Sequence, residues 1–173
     1  MRFVCNAVGP DFLDSAPQRI VNAVEIPASA AAIFAVFEDA GAWPRWFSDI
    51  VSVEWTSPRP FGVGTTRTVR LQTMTVDERF IIWEQDRRFA FYLAATSLPL
   101  VNALCEDYVL EPLASERTRF VYTVAYDPRL PLLLAGPLGR WFFGRMFSKA
   151  TQSLAVFMRS GRAAQTDAPH PSA

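Results

Sequence analysis

Histidine is almost missing from this chain. The only one, His170, lies in the closing stretch TDAPHPSA. A short, polar, proline-rich end of that kind is expected to be disordered, here over residues 163–173. A histidine there cannot serve a preorganised site. This excludes Ser-His-Asp and Cys-His nucleophiles, histidine general bases, and histidine-rich zinc or iron centres. Cysteine is nearly as scarce. Cys5 and Cys105 are far apart, and neither belongs to a CxxC pair. A disulfide framework and a thiolate zinc site are therefore not expected, and free thiols fit a reducing, cytoplasmic compartment. No metal and no other cofactor is expected.

Long apolar runs are also lacking. No stretch reaches the ~20 apolar residues that a membrane helix needs. The nearest, LPLLLAGPLGRWFFGRMF, holds two Pro, three Gly and two Arg, which suits a loop leading into a helix. The opening MRFVCNAVGPDFLDSAPQ has too short an apolar run for a signal peptide, and Asp11 and Asp14 break the residues after that run. Charge of one sign is not in excess. Lys+Arg and Asp+Glu are both 17, so nothing in the overall balance points to nucleic acid or anionic lipid. The partner class left open is a small hydrophobic molecule. Composition does not choose between monomer and dimer.

Apolar and aromatic residues are what the chain has in plenty. They make up 50% and 13% of it, with 14 Phe and five Trp in 173 residues. A chain of this length forms one domain and buries roughly 70% of its unfolded surface. Such a composition either fills a thick core or walls an apolar cavity.

The patterning gives an order of elements. Residues 1–18 read as an irregular leader. RIVNAVEIP, residues 19–27, is a first strand that stops at a proline. ASAAAIFAVFEDAGAW then changes period: Ser29 is a natural helix N-cap, Ile33, Phe34 and Phe37 share a face, and Gly41 sits at the helix end. Pro44 starts a second short helical turn at about residues 43–48. From residue 50 six more strands succeed one another through short connections, which predicts an antiparallel meander. Phe143, Phe147, Ala150, Leu154 and Phe157 recur every three or four residues and mark one face of a long C-terminal helix, with its end expected near Gly161. The domain proper is placed at 19–162. A curved antiparallel sheet of about seven strands, gripping a long helix and plugged by two short ones, is an α+β architecture.

With those elements in that order, the chain resembles the START-like, helix-grip proteins of the SRPBCC superfamily, in the polyketide cyclase/dehydrase and lipid-transport group. The residues that carry the resemblance are VEIPASAAAIFAVFEDAGAWPRW, FGVGTTR, ERFIIWEQDRRFAF, EDYVLEPL and TRFVYTVAYDP. FGVGTTR is read as a hairpin turn rather than a phosphate loop, because no Lys-Ser/Thr comes after it and a strand does. The resemblance implies a deep, mostly apolar cavity between the sheet and the C-terminal helix. It supplies no catalytic motif. The superfamily includes lipid carriers, hormone receptors and cyclases, so fold alone does not fix function.

Strand alternation nominates the cavity residues. Phe120, Tyr122, Val124 and Tyr126 share one face, as do Leu104, Glu106, Tyr108 and Leu110, and Phe89, Phe91 and Leu93. Residues 76–84 are ambiguous, since Glu78, Phe80 and Ile82 compete with Arg79, Ile81 and Trp83 and neither phase is purely apolar. The candidate lining is Arg67, Glu78, Phe91, Glu106, Tyr108, Phe120, Tyr122, Phe143 and Phe147, with Trp43 and Trp46 at the mouth and Trp46 the more buried of the two. An inward Glu106 has a raised pKa unless a cation or several donors meet it, and Arg67 or Arg70, whichever faces in, is the candidate cation. The leading reading is a carrier of a lipid, isoprenoid or polyketide-like ligand. The rivals are a cyclase or dehydratase using Glu106 or Glu78 with tyrosine as acid and base, and an interaction module whose side chains fill the cavity.

Overall fold

Consecutive strands joined by short turns pair with their neighbours, and the middle of this chain builds its sheet that way. The structure, a computed structural model, describes residues 1–166, with side chains at all positions except 140, 142 and 162–166. The elements in chain order are β1 (Phe3–Val4), α1 (Phe12–Ser15), β2 (Gln18–Ile26), α2 (Ala30–Glu38), α3 (Trp43–Trp46), β3 (Ile50–Trp55), β4 (Thr66–Leu71), β5 (Thr75–Glu84), β6 (Arg88–Thr96), β7 (Val101–Ala114), β8 (Arg117–Pro128), α4 (Leu130–Leu134) and α5 (Gly136–Thr166). The main sheet runs β2-β8-β7-β6-β5-β4-β3, antiparallel at every pairing. It curls as a half-barrel around α5, the helix-grip α+β arrangement. FGVGTTR closes the β3–β4 connection and enters β4 at Thr66, and within it Gly64 takes a φ of 90° that a side chain would strain.

Three expectations need correction. The leader is not irregular throughout: β1 pairs with the C-terminal end of β6, past the last β6–β7 pair at Tyr92↔Cys105, through Phe3↔Thr96 and Val4↔Ala95. Beyond it, α1 buries Leu13 against Cys105 and Ala125, on the sheet face away from α5. Apolar residues at both ends of the leader find apolar partners, so it packs. The stretch 130–137 is not a plain loop, because Pro131 sits in the first turn of α4, where its missing N–H costs nothing. Gly161 does not end α5, which continues to Thr166. An exposed helix tolerates a glycine at a modest cost, and Gly161 is not among the positive-φ residues. Residues 163–166 are thus helical, while the rest of the expected disordered tail, His170 included, lies outside the described residues.

The core is aromatic and layered on the concave face. Ser29 Oγ accepts from Ala32 N–H at 3.3 Å and starts α2, which drives Ile33, Phe34 and Phe37 inward. Phe37 is the hub: its ring lies 5.4 Å from Phe89 and Tyr108, 5.6 Å from Phe120, 5.9 Å from Trp43 and 6.1 Å from Trp46. α5 closes the other side with Phe147, Ala150 and Leu154, and Phe147 meets Tyr122 edge to face at 5.5 Å.

The ambiguity in residues 76–84 has a structural origin. The β5–β6 register shifts between Phe80 and Ile82, so one extra residue moves the strand to its other phase. Glu78 and Phe80 face inward before the bulge. After it Trp83 does, stacking on Phe89 at 5.8 Å. Ile81, left on the outer face, packs with the α1 cluster.

Phe37→Ala is expected to cost about 3–5 kcal/mol, because the rings around it cannot collapse into the space it leaves. Val63→Ala, at an exposed loop position, should change stability by no more than about 0.5 kcal/mol. Urea unfolding monitored by circular dichroism gives both values.

Candidate functional site

The sheet register lays a polar band across the apolar concave face. Arg67 of β4 stands opposite Glu78 of β5. Phe91 of β6 stands opposite Glu106 of β7, and Tyr108 of β7 opposite Tyr122 of β8. All these positions have the inward phase of their strands. Arg70, the other candidate cation, is exposed, because three residues along a strand is an odd step and reverses the face.

Arg67 is the centre of the band. Its side chain and that of Glu78 are buried, and Arg67 Nε donates to Glu78 Oε2. The guanidinium carbon lies 4.3 Å from the ring centre of Trp43, 4.9 Å from Phe91, 5.2 Å from Phe80 and 5.3 Å from Trp55. Rings at that range stabilise a cation through their quadrupoles. One donor is still unmet, since Nη1 is buried with no hydrogen-bond partner.

Glu106 faces Arg67 from across the sheet. Its Oε2 accepts from Tyr122 Oη at 2.6 Å and from Tyr108 Oη at 3.2 Å. The carboxyl lies deep in the molecule yet keeps some accessible surface, because it borders a cavity. Burial raises its pKa to about 7, helped by the charge of Glu78 and opposed by Tyr122, Arg67 and Tyr108. Burial also pushes Glu78 up, against the pull of Arg67. The same desolvation, followed by the Glu106 charge, holds Tyr108 and Tyr122 well above the ordinary phenol range. Both therefore stay neutral donors. With its pKa raised to about 7, Glu106 can exchange a proton near neutral pH.

The cavity measures about 80 Å³ and lies between the concave sheet and α5. Of the residues nominated from sequence, Arg67, Glu78, Phe91, Glu106, Tyr108, Phe143 and Phe147 line it. Phe120 and Tyr122 are not in the lining. Phe120 packs behind Tyr108, at 5.5 Å, and Tyr122 reaches the site only through its hydroxyl. The two tryptophans do not flank a mouth. Trp43 is 1% exposed and forms part of the cavity wall, with its Nε1 donating to Phe37 O at 2.9 Å. Trp46, at 3%, is not the more buried one, and it borders a separate surface groove beside Lys149 and Phe157. The two rings, one helical turn apart on α3, pack against each other at 4.9 Å, and only Trp43 reaches the cavity. Sequence reasoning missed Met74, Leu100 and Val101, which come from strand ends and turns where alternation carries no signal. Among the described residues no group of three His, Cys, Asp or Glu side chains is placed to hold a metal ion. No described helix is long and apolar enough to cross a membrane.

The buried charges have two measurable consequences. Arg67→Met leaves Glu78 unpaired in the core and should cost about 3–5 kcal/mol, whereas Arg67→Met with Glu78→Leu should recover most of that loss. Chemical denaturation of the two singles and the double closes the cycle. Glu106 sets a pH dependence. The native state keeps a proton that the unfolded chain releases above 4.5, so the Glu106 contribution is full below that pH and is lost as the pH rises through about 7. Glu106→Gln should flatten that fall and make the protein more stable than wild type at about pH 8, read from urea midpoints across the range.

Comparison with known proteins agrees with this fold. A family model described as polyketide cyclase / dehydrase and lipid transport matches residues 17–158. The uncharacterised proteins Rv2574 of Mycobacterium tuberculosis and Mb2604 of Mycobacterium bovis are each 39% identical over 136 residues, spanning 78% of this chain and 77% of theirs. Among solved structures, a START superfamily protein from Mycobacterium smegmatis superposes with a TM-score of 0.65 at 16% identity, over 86% of this chain and 98% of that one. The ZhuI aromatase/cyclase from Streptomyces sp. R1128 gives a TM-score of 0.67 at 15% identity, over 82% and 93%. At such identities the solved structures speak for the fold. With the model match over most of its length, the chain belongs to the polyketide cyclase / dehydrase and lipid transport family, and its fold is START-like.

Proposed function

We propose that the protein binds a small hydrophobic molecule carrying an acceptor oxygen, a carbonyl, carboxylate or phenol, in the cavity beside Arg67. The observation that carries this reading is the buried, unpartnered Nη1 of Arg67 in a lining residue. A buried donor without a partner costs about 1–3 kcal/mol, and a ligand oxygen would supply the acceptor. The apolar walls, Val69, Val76, Leu93 and Leu104 among them, would contribute most of the affinity at roughly 25 cal/mol per Å² removed from water.

Size limits the ligand. Pockets for drug-sized molecules measure roughly 300–1,000 Å³, and an apolar cavity of about 150 Å³ holds benzene. At about 80 Å³ this cavity takes a ligand only when α5 gives way. The side chains that would move are Phe143 and Met146, both half-buried on that helix. A lipid, an isoprenoid or a multi-ring polyketide demands a larger movement than a single aromatic ring does.

A second reading rests on Glu106. A carboxyl with a pKa of about 7, bonded to two neutral phenols, suits general acid–base work in a cyclisation or dehydration. The aromatase/cyclase named above makes that chemistry a natural comparison, though the likeness to it is one of fold. For either reading the proposed compartment is the cytoplasm, where the free thiols of Cys5 and Cys105 stay reduced.

Native mass spectrometry of protein purified without denaturation tests the binding reading. A small oxygen-bearing molecule should co-purify, and Val69→Phe, which fills the cavity, should lose it while remaining folded. No ligand on the wild type, together with higher stability in Val69→Phe, would instead support the interaction module with a core filled by its own side chains. Once a ligand is known, Glu106→Gln should bind it without turnover if the acid–base reading holds.

A further inference from the structure

The zero net charge of the whole chain hides an uneven distribution. Between Asp127 and Asp167 there is no acidic residue, while six Arg and Lys fall in that interval. The same interval concentrates large exposed apolar side chains. Leu130, Leu133, Leu134, Leu138 and Trp141 are each more than half exposed. They are not scattered. Leu130, Leu133 and Leu134 sit three and four apart along α4; past the break at Gly136, whose φ is 53°, Leu138 and Trp141 sit three apart in the first turns of α5. Four residues on, the exposed Arg145 lays its guanidinium over the Trp141 ring at 5.1 Å. Lys149, also exposed, comes after another four.

Isolated exposed apolar residues need no explanation, but a contiguous patch on a monomer does. Exposed leucine and tryptophan, with cations in the same stretch and no acidic residue from 128 to 166, are the features of a segment that lies in the interface of an anionic bilayer. The leucines enter the acyl boundary, Trp141 sits at headgroup depth, and Arg145 and Lys149 meet lipid phosphates. No acidic side chain on these helices opposes that approach. A second copy of the chain fits less well, since facing patches would bring their own cations together.

We infer that α4 and the start of α5 form a docking surface for a membrane bearing anionic lipid headgroups. This surface is separate from the cavity, and the inference stands whether or not the cavity holds a ligand.

Co-sedimentation of the full chain with vesicles tests it. The protein should bind vesicles of phosphatidylcholine and phosphatidylglycerol in equal parts, and not vesicles of phosphatidylcholine alone. Partitioning should fall roughly tenfold or more in ~0.5 M salt, and by a similar factor in Leu134→Glu/Leu138→Glu and in Arg145→Glu. These residues are exposed, so the variants should keep the wild-type circular dichroism and melting temperature. Absence of binding, equal binding to both vesicle types, or unchanged partitioning of Leu134→Glu/Leu138→Glu would overturn the inference. So would a wild-type dimer in sedimentation equilibrium that this variant dissociates, because the patch would then be a contact between copies.

Discussion

A charged guanidinium buried between the sheet and Trp43 of α3 sets the terms for the rest of this molecule. A guanidinium carries its charge into the interior, so the fold must compensate it. Antiparallel register puts Glu78 directly opposite, and the walls around the pair are aromatic rather than aliphatic, which adds cation–π attraction where a leucine would add none. The compensation is incomplete, because Nη1 has no acceptor. Glu106 responds to the same field. With Arg67 already paired to Glu78, the second carboxyl is held near neutrality by burial and by its like-charged neighbour.

Much of this could be read in the sequence, for identifiable reasons. Residues 104–110 and 120–126 alternate without interruption, so their inward faces were legible, and with them the placing of Glu106, Tyr108 and Tyr122. Arg67 was one of two choices that parity alone could not separate, because the phase of β4 is set by its partners. Residues 76–84 resisted because a bulge uses both phases of one strand, and no single alternation describes it. The tryptophans resisted for another reason. Within one turn of helix, sequence spacing says little about which ring meets the sheet, and the choice fell to the bond from Trp43 Nε1 to Phe37 O. α4 was hidden because Pro131 reads as a breaker unless its place in a first turn is known.

Cavity volume was not legible at all. Fourteen Phe and five Trp are compatible with a hollow or a solid interior, and only packing decides. The outcome is intermediate: a small cavity with a polar band along one side, closed by a helix whose partly buried face holds Phe143 and Met146. That combination suits a binding site that is closed when empty. The helix that closes it is the same element whose outer side presents Leu138, Trp141 and Arg145, so α5 has a buried role and a surface role on opposite sides.

The central claim is that the missing partner of Arg67 is a ligand oxygen. A high-resolution crystal structure of natively purified protein addresses it most directly. The account predicts density for a small molecule between β4–β7 and α5, with an oxygen within about 3.2 Å of Arg67 Nη1 and Phe143 displaced. A cavity holding only side chains, with Nη1 bonded to a protein acceptor, would contradict it.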